Sequence, residues 1–139
     1  MSPISMRRAG LGLTLLVALF FIMDMTMKFL VLPQVTETMT ALGWPADAGT
    51  ARALGLLQLA SLALYLWPRA SVLGAILLTG YLGGAVATHV RISSPLFSHI
   101  LFGVYLGFMV WGGLWLRSPQ LRALMPMSVS RAATNGNGD

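Results

Sequence analysis

Gly80-Tyr81-Leu82-Gly83-Gly84-Ala85-Val86-Ala87-Thr88-His89-Val90-Arg91 ends an apolar segment on a histidine and an arginine. Gly80, Gly84 and Thr88 recur every fourth residue, and Thr79, Gly83 and Ala87 form an adjacent stripe. On a helix, small side chains at that spacing let a neighbouring backbone come close, and association in lipid depends on such packing. The spacing therefore predicts a membrane helix with packing faces at Gly80, Gly83, Gly84 and Thr88. With two stripes it should touch two neighbours and be the helix the others pack against. Its polar end, His89 and Arg91, should line one wall of a site.

The rest of the chain suits such a helix. It has 139 residues, 56% of them hydrophobic and only 9% charged, with a mean hydropathy of +0.76. A soluble domain carries about 25% charged residues, so this chain has too little polar surface for a water-soluble globule. The net charge of +5 does not point to nucleic acid, because the basic residues stand singly or in pairs beside apolar runs. The absence of cysteine excludes disulfides, thiol catalysis and cysteine-held clusters within the chain.

Spanning the hydrocarbon takes about 20 apolar residues. Four segments approach this: about Ala9 to Leu32, Ala51 to Trp67, Ser71 to Val90, and Leu96 to Leu116. Pro33, Pro68 and Pro119 follow three of them, as expected of residues that cannot continue a helical ladder. The first segment follows Arg7 and Arg8 but is too long for a signal peptide's apolar region, and reads as an uncleaved span. Between spans one and two, Val35, Met39 and Leu42 recur at helical spacing before Gly43-Trp44-Pro45. That pattern predicts a short interfacial helix closed by glycine, with Trp44 at headgroup level. The expected fold is all-α: a membrane-embedded antiparallel four-helix bundle with a short interfacial helix between helices one and two. It should form one domain over residues 1–127, followed by a disordered polar tail over 128–139.

Basic residues set orientation. Arg7, Arg8, Arg69, Arg117, Arg122 and Arg131 fall at one end of such a bundle, and Lys28, Arg52 and Arg91 at the other, six against three. This predicts both termini in the cytoplasm. Asp24, Lys28, Arg52, Gln58, His89 and Arg91 then gather at the outer end, together with Ser98 and His99. The inner half should hold almost no polar side chains. Ionisable groups inside a membrane are costly and face the protein interior or a water-filled cavity, so these six residues are the candidate ligand-binding set. Asp24 and Lys28, four apart, can also simply pair to let the helix insert. Arg52 and Arg91 can snorkel. The cations at this end oppose a metal ion and favour a carboxylate, a phosphate or a quinone carbonyl. No metal site is expected.

Leu42-Gly43-Trp44-Pro45, Leu54-Gly55-Leu56-Leu57-Gln58-Leu59, Gly74-Ala75, Gly83 to Arg91 and Trp111-Gly112-Gly113-Leu114-Trp115-Leu116-Arg117 occur together here. In this combination the chain resembles the DoxX-like family of small four-helix bacterial membrane proteins, over roughly residues 15 to 126. That family commonly carries an acid where Gln58 stands and another where Ser118 stands, so no acid-dependent role passes to either position. The resemblance implies a bacterial inner-membrane protein. It also implies a link to thiosulfate:quinone oxidoreduction or to oxidative-stress complexes, with quinone as the one cofactor it suggests.

Two readings follow. In the first, the chain is a non-catalytic membrane subunit or anchor that binds a small lipophilic or anionic ligand, such as a quinone, or a redox partner. In the second it is a quinone-linked membrane enzyme, with His89 as acid–base group and Arg52 and Arg91 as anion stabilisers at the periplasmic end. The lack of an evident nucleophile favours the first. The expected partners are the lipid bilayer, a soluble or membrane redox partner and a second copy of the chain, with no nucleic acid.

Overall fold

The computed structural model describes residues 2–125. The expected tail over 128–139, the last two residues of the expected domain and Arg131 lie outside them. The described chain forms α1 (Pro3–Leu30), α2 (Pro33–Ala41), α3 (Ala48–Leu66), α4 (Ser71–Arg91), α5 (Leu101–Arg117) and α6 (Pro119–Leu124). A π-helical turn, Leu96–Ile100, leads into α5. Four helices are long and apolar enough to cross a membrane: α1, α3, α4 and the continuous Leu96–Arg117 segment. The chain is thus a multi-pass membrane protein with an all-α four-helix bundle.

Local chemistry sets the boundaries. Ser2 caps α1 by accepting the Ser5 N–H at 3.2 Å. Asp47 caps α3, accepting the Thr50 N–H at 2.9 Å and the Thr50 hydroxyl at 2.7 Å. The hydroxyl bond, then the N–H bond, favour the carboxylate and hold Asp47 below the usual aspartate range. Pro33 and Pro119 do more than stop a span. Each occupies the first turn of the next helix, where a missing N–H costs nothing. That is why α6, which the sequence reading did not foresee, follows α5 directly. Between α1 and α2 the chain reverses at Val31, whose φ of 53° is unusual for a β-branched residue. Gly43, at φ 74°, closes α2 as its sequence implied.

The four spans form a closed ring in which α1 packs on α3, α3 on α4, α4 on α5 and α5 on α1. Val17, Phe21, Leu62, Tyr65, Leu78, Val110 and Leu114 fill its centre. So α4 has its two neighbours, but it is one side of the ring and not its hub. The outward faces carry exposed Leu15, Leu19, Leu56, Leu73, Ile76, Phe97 and Phe108, a surface suited to bilayer contact.

The small residues of α4 do not act as expected. A Cβ added at Gly80, Gly83 or Gly84 would meet nothing among the described residues within 4 Å. Thr88 turns its hydroxyl back to the Gly84 carbonyl at 2.8 Å, within its own helix. These four positions are not the close-approach face; they border open space. The close approaches lie elsewhere. At Gly74 an added Cβ would sit 2.0 Å from the Tyr65 backbone nitrogen, and at Gly10 it would sit 2.8 Å from Gly113 O and Arg117 N. The α3–α4 turn at Pro68-Arg69-Ala70 is too short to separate the two helices by a side chain, so they touch at Gly74.

Candidate functional site

The open space beside Gly80 and Gly84 belongs to a cavity of about 590 Å³ at the α2 end of the bundle. Phe20, Phe21, Leu54, Tyr81, Phe102 and Leu106 supply much of its wall, and α2 contributes Val35, Thr38 and Met39, with Leu42 at its C-cap and Trp44 beyond. Val35 and Met39 seat α2 against Ala51, Met27 and Val31. They do so because the helical spacing of its apolar residues gives α2 one buried face.

Polar groups meet at the inner wall. Lys28 and Asp24, one turn apart on α1, form an ion pair through Asp24 Oδ2. Gln58 Nε2 of α3 donates to the same oxygen at 2.5 Å. Gln58 is fully buried, and its Oε1 has no hydrogen-bond partner among the described residues. The Lys28 ammonium lies 5.9 Å from the Tyr81 ring centre, within cation–π range. Ion pair and amide together carry no net charge.

His89 and His99 line the same cavity. Their rings meet edge to face, 5.3 Å between centres, and His89 Nδ1 shares a 3.0 Å hydrogen bond with Ser94 Oγ. Asp24, Lys28 and Gln58 are therefore directly joined, and His89 faces the same space through different partners. Arg52 and Arg91 do not line it. Arg52 Nε donates to Phe29 O at 3.4 Å. Arg91 donates to Leu42 O, tying the end of α4 to the C-cap of α2. An enzymatic site with His89 flanked by these two guanidiniums is not the arrangement present.

Tyr81 was missed by sequence reading because a tyrosine in an apolar run looks like core. The opposite end was misread altogether. Thr14, Ser61, Tyr65 and Ser71 are buried, so that half is not free of polar side chains. The Tyr65 hydroxyl donates to Val110 O at 2.8 Å and lies 3.5 Å from Thr14 Oγ1. Arg117 donates to Tyr65 O at 2.8 Å with its guanidinium 5.0 Å from the Tyr65 ring centre. The signal was present: Gly55, Gln58, Ser61, Leu62 and Tyr65 recur at three- and four-residue spacing, marking one inward stripe of α3.

Four apolar spans in a ring, with a cavity lined by polar as well as apolar side chains at one end, define a small multi-pass helical membrane protein. The family model of the DoxX-like family matches residues 12–113, and the chain belongs to that family. Comparison with curated proteins and with solved structures gives no match.

Proposed function

We propose that this protein is a non-catalytic membrane subunit that holds a small lipophilic molecule in the cavity beneath α2. One observation carries the reading. About 590 Å³ of space walled mostly by aromatic and aliphatic side chains carries the Asp24–Lys28–Gln58 cluster on its wall. Small-molecule sites have this size and this composition, apolar walls with a few convergent polar groups. The cluster is charge-neutral, and Arg52 and Arg91 are engaged outside the cavity. Both facts favour a neutral polar head over an anion. A quinone or its reduced form satisfies this, and family analogy supports the same class together with a redox partner. The basic-residue bias supports an inner-membrane protein with both termini cytoplasmic and the cavity on the periplasmic side.

Trp44 lines the cavity, whereas the other tryptophans do not, so fluorescence reports on it. In lipid nanodiscs, a decyl-substituted benzoquinone or its quinol should quench emission saturably. Gly84→Leu, which puts a side chain into the open space, should abolish the saturable part. Quenching that rises without saturation, and equally in both proteins, would overturn the reading.

A further inference from the structure

We infer that the end of the bundle opposite α2 is a docking surface for anionic phospholipid. It holds the headgroup of a lipid that carries net negative charge, in preference to a zwitterionic one.

Charge is divided unevenly along the bundle. Arg7, Arg8, Arg69, Arg117 and Arg122 stand at this end. The acids among the described residues, Asp24, Glu37 and Asp47, all stand in the other half, in the second half of α1, in α2 and at the N-cap of α3. The Asp24–Lys28 ion pair is there too. Packing gathers the arginines on one rim. Gly10 of α1 lies so close to α5 that an added Cβ would sit 2.8 Å from Arg117 N, and Arg7 and Arg8 precede Gly10 by less than one helical turn. Arg117 donates to Tyr65 O at 2.8 Å, which ties the end of α5 to the end of α3. Arg69 follows in the α3–α4 turn, and Arg122 of α6 donates back to Trp115 O and Leu116 O. Arg7, Arg8 and Arg69 are exposed and make no side-chain hydrogen bond among the described residues. Each guanidinium offers a fork of N–H groups that fits two phosphate oxygens.

Charge alone would suit any polyanion, but the surroundings select a lipid. Trp67, Leu124 and Met125 are exposed at the same end. Leu124 and Met125 close α6, which Leu121 anchors in the core. Exposed apolar side chains within a turn of guanidiniums fit a molecule that joins phosphate to hydrocarbon. Free phosphate or a water-soluble acidic protein would leave them uncovered. Tryptophan is enriched at headgroup level for the same reason. The missing acids then select the headgroup. A zwitterionic lipid brings an ammonium with its phosphate, and among the described residues no carboxylate stands at this end to receive it. An anionic lipid brings only what guanidiniums attract.

Lipid chains carrying bromine quench tryptophan on contact, which gives the test. Trp44→Phe leaves Trp67, Trp111 and Trp115, all toward the arginine end. This protein would be placed in vesicles of equal phosphatidylglycerol and phosphatidylcholine, with bromine on the chains of one lipid or of the other. Both leaflets carry both lipids, so the direction of insertion does not enter. Phosphatidylglycerol should associate roughly fivefold more strongly, about what one arginine near an anionic surface contributes. Changing Arg7, Arg8 and Arg69 together to Gln should bring the ratio close to one. So should about 1 M salt, where screening acts within about 3 Å. Equal association of the two lipids in the Trp44→Phe protein overturns the inference and leaves this face to a water-soluble polyanion. A preference that persists unchanged in the triple Gln variant, or in high salt, also overturns it, because the exposed guanidiniums would not be its source. If the triple variant does not fold, the salt series on the Trp44→Phe protein decides alone.

Discussion

Asp24 lies six residues before the end of α1, about 9 Å inside the helix end at 1.5 Å per residue. A short carboxylate at that depth cannot reach the headgroups and needs partners within the bundle. Lys28 and Gln58 are those partners. Replacing Lys28 with Met should leave the carboxylate bound only by the Gln58 amide. Breaking a fully buried pair costs about 3–5 kcal/mol. Asp24 remains 32% exposed and Lys28 14%, so a loss of about 1–2 kcal/mol is expected once solvent screening is allowed for. Adding Asp24→Asn to Lys28→Met should recover part of it, because an amide can share hydrogen bonds with Gln58 without charge. Thermal melts in detergent test both steps. A double variant no more stable than Lys28→Met would show that the charge is not what the lysine neutralises. The i,i+4 pair was legible in the sequence, since both residues stand on one helix. The Gln58 contact was not, because it depends on α1 and α3 being neighbours in the ring, a fact that no spacing within either helix contains.

At the scale of elements, the number of spans follows from apolar length, and their ends from Ser2, Asp47 and the prolines. What glycine does in them was not legible. Gly74 and Gly84 look alike in sequence, each within an apolar run. Gly74 sits where a tight turn forces α4 onto α3, and Gly84 where the wall of a cavity needs no side chain. Only the relative placement of helices tells a contact from a gap. The two positions should respond oppositely to alanine. Gly74→Ala must push a methyl into the Tyr65 backbone, which cannot yield as a side chain would, and should cost at least the 1–3 kcal/mol typical of overpacking. Gly84→Ala meets open space and gains about 1 kcal/mol of helix propensity in an exposed helix, less where lipid already favours the helix. Melting temperatures of the two variants in one detergent test the contrast. Comparable losses at both positions would mean that α4 does pack through its glycine stripe.

At the scale of the whole molecule, the apolar outer surface suits a bilayer and the distribution of basic residues bears on direction. Among the described residues, Arg7, Arg8, Arg69, Arg117 and Arg122 stand at the end away from α2, and Lys28, Arg52 and Arg91 at the α2 end. The contact pattern sharpens the imbalance. Asp24 neutralises Lys28, whereas Arg52 and Arg91 keep their charge while donating to Phe29 O of α1 and to Leu42 O just after α2, so two of these three cations stay unneutralised at the α2 end. At the other end Arg117 holds Tyr65 O, and Arg122 holds Trp115 O and Leu116 O at 3.1 and 2.6 Å. Arg7, Arg8 and Arg69 are exposed and make no side-chain hydrogen bond among the described residues. Positive charge retained on short flanks is what keeps a segment on the cytoplasmic side, so both termini should be cytoplasmic and α2 periplasmic. A phosphatase that is active only outside the cytoplasm should be silent when fused at the C-terminus and active when inserted in the 43–47 loop after α2. Changing Arg7, Arg8 and Arg69 together to Gln leaves those side chains without charge and should weaken the bias until a measurable fraction of the C-terminal fusion becomes active. High activity of the unmodified C-terminal fusion would reverse the orientation and turn the cavity toward the cytoplasm.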